Sequence, residues 1–177
     1  METDLNRTKQ LSEEKQDENW QFRAFLKGSD TPSRKIDRMV HRLYKEVSSQ
    51  IDCTSCANCC REIRAVLDQE DIENLSKGLG LSAVRFRKQY LAQREKSDEF
   101  VFKEKPCPLL KDNRCSYYDC RPKACRAYPY LHKDDFVFRL IGVIQNSSIC
   151  PIVFNVYEYL KAEIWHSQDF EYFDDID

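Results

Sequence analysis

The sequence predicts a mainly α protein with a small antiparallel β element, an α+β fold in a small single domain organised around cysteine-ligated metal. Three observations carry that prediction. Apolar residues recur at helical spacing in two long stretches, one from Pro32 to Ile51 and one from Pro151 to Ile164. Two short stretches, Asp98–Lys103 and Asp134–Arg139, alternate bulky residues as strands do. Nine cysteines complete the picture, four of them packed into Cys53-Thr-Ser-Cys56-Ala-Asn-Cys59-Cys60.

At 177 residues the chain is long enough for one ordinary hydrophobic core. Lys and Arg total 28 against 30 Asp and Glu, so the net charge of -2 gives no electrostatic case for nucleic acid or an anionic membrane surface. The opening residues lack the apolar run of a signal peptide, and no segment supplies the roughly 18 uninterrupted apolar residues of a membrane span. A soluble cytoplasmic protein is therefore expected. In a reducing compartment, closely spaced cysteines are metal ligands or catalytic thiols rather than disulfides, and nine is an odd count for pairing.

Residues 1–30 form a charged N-terminal arm whose sizeable apolar side chains are Leu5, Leu11, Trp20, Phe22, Phe25 and Leu26. A helix is predicted from an N-cap at Ser12 to Lys27, docking through Trp20 and Phe25, before Gly28-Ser-Asp-Thr-Pro32 breaks it. The cysteine-cluster domain then occupies 31–177. Pro32 suits a first helical position, and Ile36, Met39, Val40, Leu43, Tyr44, Val47 and Ile51 form one stripe that delivers the chain into Cys53. Asp68 is a candidate N-cap with an acidic first turn, placing Ile72 and Leu75 inward before Gly78 and Gly80. Ser82 caps a further helix bearing Val84, Phe86, Tyr90 and Leu91.

The two Phe-Val-Phe stretches are expected to pair and clamp the segment between them. That segment, Pro106 to Pro129, holds four prolines, the turn pair Asp112-Asn113, and Cys107, Cys115, Cys120 and Cys125. Its composition cannot build a hydrophobic core, so its order depends on a cross-link through the thiols. Beyond it, Pro151 opens a terminal helix with Val153, Val156, Tyr157, Leu160 and Ile164 inward. The acidic tail Asp169–Asp177, with Phe170, Tyr172 and Phe173, either docks or frays.

If 53–60 were one helix, its four sulfurs would fall within about 120° of arc at roughly 100° per residue; a loop could gather them equally well. Zinc asks for four tetrahedral ligands and takes thiolate readily, so nine cysteines complete one site or two. An iron–sulfur cluster also takes four thiolates, and Cys53-x2-Cys56-x2-Cys59 has the spacing of the first three ligands of the bacterial ferredoxin run. The fourth in that run precedes proline, as Cys150 does here, which makes Cys53, Cys56, Cys59 and Cys150 an alternative set. Arg61, Arg64, Arg114, Arg121, Lys123 and Arg126 flank the cysteines and suit the roughly two negative charges that four thiolates leave on such a centre.

His132 follows the last cysteine of the loop and is a candidate ligand or proton donor, with a solvent-facing role as the plainer reading. His41 falls on a polar helix face, and His166 lies near the chain's end. Tyr117, Tyr118 and Tyr128 suit packing around the loop. No nucleophile motif is present, and four glycines make no phosphate-cradling loop.

Taken together, Cys53 to Cys60, Pro106-Cys-Pro-Leu-Leu110, Asn113-Arg-Cys-Ser-Tyr-Tyr118, Arg121-Pro-Lys-Ala-Cys-Arg-Ala-Tyr-Pro129 and Cys150-Pro151 resemble the YkgJ-like cysteine-cluster family, the CxxCxxCC zinc- or iron-chelating proteins. The resemblance runs over about residues 35–165. It implies eight metal ligands: Cys53, Cys56, Cys59, Cys60, Cys107, Cys115, Cys125 and Cys150. Cys120 stands outside that pattern, as an additional ligand or a spare thiol. The implied cofactor is zinc or iron, the latter including a 4Fe-4S cluster. Such proteins are described as metal chelators or iron–sulfur oxidoreductases, and a similar module occurs in flagellin lysine N-methylases. The primary expectation is a metal-binding protein whose partner is the ion or cluster itself and whose reaction is unknown. The alternative is an iron–sulfur enzyme of oxidoreductase or methyl-transfer type, although the chain shows no obvious extra sequence to hold S-adenosylmethionine and a protein substrate.

Overall fold

The structure, a computed structural model, describes residues 1–165. His166 and the tail Asp169–Asp177 lie outside the described residues. The predicted α+β class is what the chain adopts. It begins with α1 (Leu5–Glu14), α2 (Gln16–Gly28), α3 (Ser33–Ser48), α4 (Cys53–Cys56) and α5 (Asn58–Glu62). Strand β1 (Val66–Leu67), α6 (Gln69–Gly78), α7 (Ala83–Tyr90), β2 (Leu91–Gln93) and β3 (Phe100–Phe102) follow. Next come β4 (Leu110–Lys111), β5 (Arg114–Cys115), α8 (Lys123–Ala127), α9 (Leu140–Ser147) and α10 (Pro151–Ile164). These elements fall into two compact units: a helical unit of Met1–Ile51 with Pro129 onward, and a cysteine unit, Asp52–Tyr128.

In the helical unit α10 is the central element, with Ile152, Val153, Val156, Tyr157, Leu160 and Ile164 buried and Pro151 at its predicted first position. Against it packs α3, whose stripe Ile36, Val40, Leu43 and Val47 is buried as the spacing predicts. Pro32 sits one position earlier than expected, at the N-cap. The single helix expected from Ser12 is two, because Lys15 (φ -94°, ψ 13°) leaves helical geometry; α1 is capped by Asp4, whose carboxylate accepts the Arg7 N–H at 2.7 Å. Burial on α2 falls to Phe22 and Leu26, whereas Trp20 and Phe25 stay 39% and 41% exposed. Trp20 lies two residues, or roughly 200° of arc, from Phe22, so both cannot face inward.

A feature absent from the apolar pattern is Lys161, 1% exposed in α10. Its Nζ donates to Glu18 at 2.9 Å and to Asn19 Oδ1 at 3.0 Å, and pairs with Glu158 at 2.5 Å. A buried ammonium is tolerable only with such partners.

The expected pairing of the two Phe-Val-Phe stretches is not found. The first is β3, which pairs antiparallel with β1 (Val66 opposite Val101) and β2 (Leu91 opposite Phe102) in the order β1-β3-β2. The second, Phe136–Arg139, is a 3-10 turn. The buried carboxylate of Asp37 accepts the N–H groups of Asp135 and Phe136 at 3.1 and 2.9 Å, and Asp135 turns left-handed (φ 61°). Capping by a distant carboxylate thus overrides a local strand pattern.

The cysteine unit has its own core: Leu67, Ile72, Leu75, Phe86, Leu91, Phe102 and Leu109. Asp68 caps α6 in a full capping box with Asp71, and Ser82 caps α7, both as read from the sequence. Val84, placed on the inward stripe by that reading, is exposed, and Phe86 alone on α7 is buried.

Candidate metal centre

Of the nine cysteines, all thiols, eight belong to the cysteine unit; Cys150 is the buried N-cap residue of α10 in the helical unit. The cluster segment is not one helix. Asp52 caps α4 by accepting the Thr54 N–H at 2.8 Å, which places Cys53 and Cys56 on one turn. Ala57 then adopts φ 49°, a left-handed conformation costing a non-glycine residue on the order of 1 kcal/mol, and α5 restarts the chain with Cys59 and Cys60. The arc computed for a continuous helix therefore does not apply across Ala57.

Three further segments bring sulfur to this region. The Cys107 N–H donates to the Cys60 carbonyl at 2.8 Å, joining the proline-rich loop to α5 through backbone. Hairpin β4–β5 carries Cys115 opposite Leu110, and its turn residues Asp112 and Asn113 both have positive φ (47° and 62°), the two-residue hairpin geometry favoured by Asn and Asp. Helix α8 carries Cys125. Its start is fixed by Asp71, which accepts the Lys123 N–H at 3.0 Å, and by the Lys123 ammonium on Asp68 and Glu70 at 2.8 and 2.6 Å.

Short turns after two of these cysteines aim amide donors back at sulfur. Cys107 receives the N–H groups of Leu109 and Leu110, and Cys115 that of Tyr117. Such donors favour a thiolate. They are outweighed by loss of water: burial, with the neighbouring thiols, pushes Cys107 up to about 11 and Cys125 up to about 12, and raises Cys115. Cys53 is raised by burial, Cys56 and Asp52. Cys60 goes the other way, to about 7, because Cys59 hydrogen-bonds its sulfur and Arg121 and Arg61 lie near.

Cys60, Cys107, Cys115 and Cys125 thus form one electrostatic group: the charge of Cys60 is felt by each of the other three. Arg121 favours the ionised form of Cys53, Cys60, Cys115 and Cys125. It is held by stacking on Tyr118, 3.4 Å from the ring centroid, and by an Nε–H bond to the Tyr118 carbonyl at 3.0 Å. Cys120 packs against the unit's hydrophobic core, as Cys107 does, with its sulfur beside Gly78. His132 is exposed in the helical unit, its ring 6.2 Å from Tyr44, and His41 Nε2 lies 3.8 Å from Asp134. Tyr117 packs on the core, and Tyr128 closes the unit half-buried.

Among the described residues no three or more His, Cys, Asp or Glu side chains are already set to hold a metal ion. The donor chemistry nevertheless fits a thiophilic one, with four coupled thiols, amide donors on two of their sulfurs and a guanidinium facing three of the four. The amide-to-sulfur bonds and the prominence of Arg121 over its basic neighbours were not readable from spacing, because both depend on turn geometry.

A small α+β unit that carries eight thiols on short helices, a hairpin and turns has the donor set of a cysteine-rich metal chelator. Residues 52–150 match the CxxCxxCC family, described as a putative zinc- or iron-chelating domain, and the chain belongs to that family. No curated protein and no solved structure matches it. No helix among the described residues is long and apolar enough to cross a membrane.

Proposed function

We propose that this chain is a metal-chelating module whose cysteine unit holds one zinc ion through the thiolates of Cys60, Cys107, Cys115 and Cys125. The observation that carries the reading is the backbone bond from Cys107 to Cys60 at 2.8 Å, and the thiols of Cys60, Cys107 and Cys115 each push the Cys125 thiol up. Cys60, Cys107, Cys115 and Cys125 would hold the ion. Amides of Leu109, Leu110 and Tyr117 then stabilise two of the thiolates, and Arg121 offsets the net negative charge. Zinc would supply structural cross-linking there.

The segment from Pro106 to Pro129 lends Leu109 to the unit's core, with Cys107, Tyr117 and Cys120 packed against it, and a metal cross-link would add to that order. A structural zinc contributes about 10 to 16 kcal/mol, comparable with the roughly 5 to 15 kcal/mol that stabilises a whole domain. The test is metal and acid-labile sulfide analysis of untagged protein purified without oxygen. Zinc near one per chain without sulfide supports the reading. Iron with stoichiometric sulfide replaces the zinc assignment by a cluster, and a second zinc brings Cys53, Cys56 and Cys59 into a further site. Metal-free protein overturns chelation.

A further inference from the structure

Helix α4 is four residues long, so its last carbonyls have no partner within the helix. Two side chains from outside α4 take them. Asn113 Nδ2 donates to the Ser55 carbonyl, and Arg61 Nη1 donates to the Cys56 carbonyl at 3.0 Å. Arg61 Nη2 also donates to Asn113 Oδ1, which closes a ring of three interactions between α4, α5 and the tip of the β4–β5 hairpin. Asn113 reaches this position because the turn holds it left-handed, at φ 62°.

We infer that Asn113 and Arg61 form a latch that fastens the Cys53–Cys56 turn to the hairpin bearing Cys115, and that opening this latch limits how fast metal leaves the thiols. Both are positioning residues and neither is a ligand. The connection to the centre runs through backbone: the Cys60 N–H donates to the Ala57 carbonyl at 3.0 Å, so a displaced α4 disturbs the start of the segment that carries Cys60. The inference rests on the metal reading above, but the latch itself can be tested apart from it.

The discriminating pair is Asn113→Gly and Asp112→Gly. Glycine suits both left-handed turn positions, so each variant keeps the hairpin, while only the first removes the latch. Arg61→Met breaks the same ring but also removes a charge that favours the Cys60 thiolate, so the comparison of the two glycine variants decides. Two rates are read on the protein as purified: zinc transfer to excess chromogenic chelator, and amide hydrogen exchange across residues 53–60. Asn113→Gly and Arg61→Met are expected to release zinc about 10- to 100-fold faster, the range typical of outer-sphere partners, with faster exchange, whereas Asp112→Gly keeps both rates of the natural chain. Equal rates in the two glycine variants would overturn the latch. If the natural chain carries no metal, chelation fails, and the exchange comparison alone decides whether Asn113 fastens α4.

Discussion

The amide of Cys107 donates to the carbonyl of Cys60 at 2.8 Å, and this bond joins two stretches of chain that share no strand or helix. It places the first thiol of the proline-rich loop beside the last thiol of the Cys53–Cys60 segment. Their sulfurs are themselves held, that of Cys60 by Cys59 and that of Cys107 by the amides of Leu109 and Leu110. Such preorganisation suits a site completed by an ion.

Cys125→Ser is expected to lower zinc content well below one per chain and to destabilise the cysteine unit, because Cys125 couples to Cys60, Cys107 and Cys115. Cys120→Ala should keep the zinc and cost only about 1 kcal/mol of packing, since its sulfur lies against the core and Gly78. Metal analysis and thermal unfolding of the two variants check this. Equal zinc loss in both would place Cys120 among the ligands.

Stripping the metal with a strong chelator should remove amide-exchange protection chiefly from residues 106–128. Helices α3 and α10 should stay protected, because the helical unit buries Phe22, Ile36, Val40, Leu43, Phe136 and Leu160 in its own core. Hydrogen exchange before and after chelation measures it. Unchanged protection in 106–128 would mean that the loop is ordered without metal.

The elements legible in the sequence are those whose signal is local. The stripe from Ile36 to Val47 needs only its own spacing, Asp68 and Ser82 cap the helices immediately after them, and Asp112-Asn113 specifies its own turn. Two features of the helical unit depend instead on remote partners. Phe136 differs from Phe100 because Asp37, 99 residues away, captures its N–H. Lys161 is buried because Asn19, 142 residues away, and Glu18 accept its ammonium. Eight of the nine cysteines fall in one unit, Cys120 among them, while Cys150, which the family resemblance puts in the ligand set, belongs to the other; the division of Cys53–Cys60 between α4 and α5 turns on the left-handed Ala57, and no composition rule marks an alanine for that conformation.

Replacing Lys161 by methionine keeps the side-chain length and removes the charge. Asn19 Oδ1 then loses its donor, and Glu18 and Glu158 lose one of the two cations they share, keeping Lys15. Removing one partner of a fully buried pair costs about 3 to 5 kcal/mol, and the partial exposure of both glutamates reduces this to roughly 2 kcal/mol. Urea unfolding followed by tryptophan fluorescence reports it, since Trp20 and Trp165 are the only tryptophans and both belong to the helical unit. Zinc content should not change.

Tyr157 gives that unit an alkaline limit. Its hydroxyl donates to the Asn19 carbonyl at 3.1 Å, and burial, reinforced by Glu158, holds the phenol well above its ordinary value near 10. The folded state therefore favours the neutral phenol. The resulting stability is fully present below pH about 10, where the unfolded phenol is also neutral, and declines above it as the unfolded chain ionises first and the folded phenol follows at higher pH. Tyr157→Phe should cost about 1 kcal/mol at neutral pH through the lost hydrogen bond, and should lose less further stability than the natural chain between pH 9 and 11.5. Urea midpoints of both proteins across that range give the comparison. Parallel curves would show that Tyr157 does not set the alkaline limit.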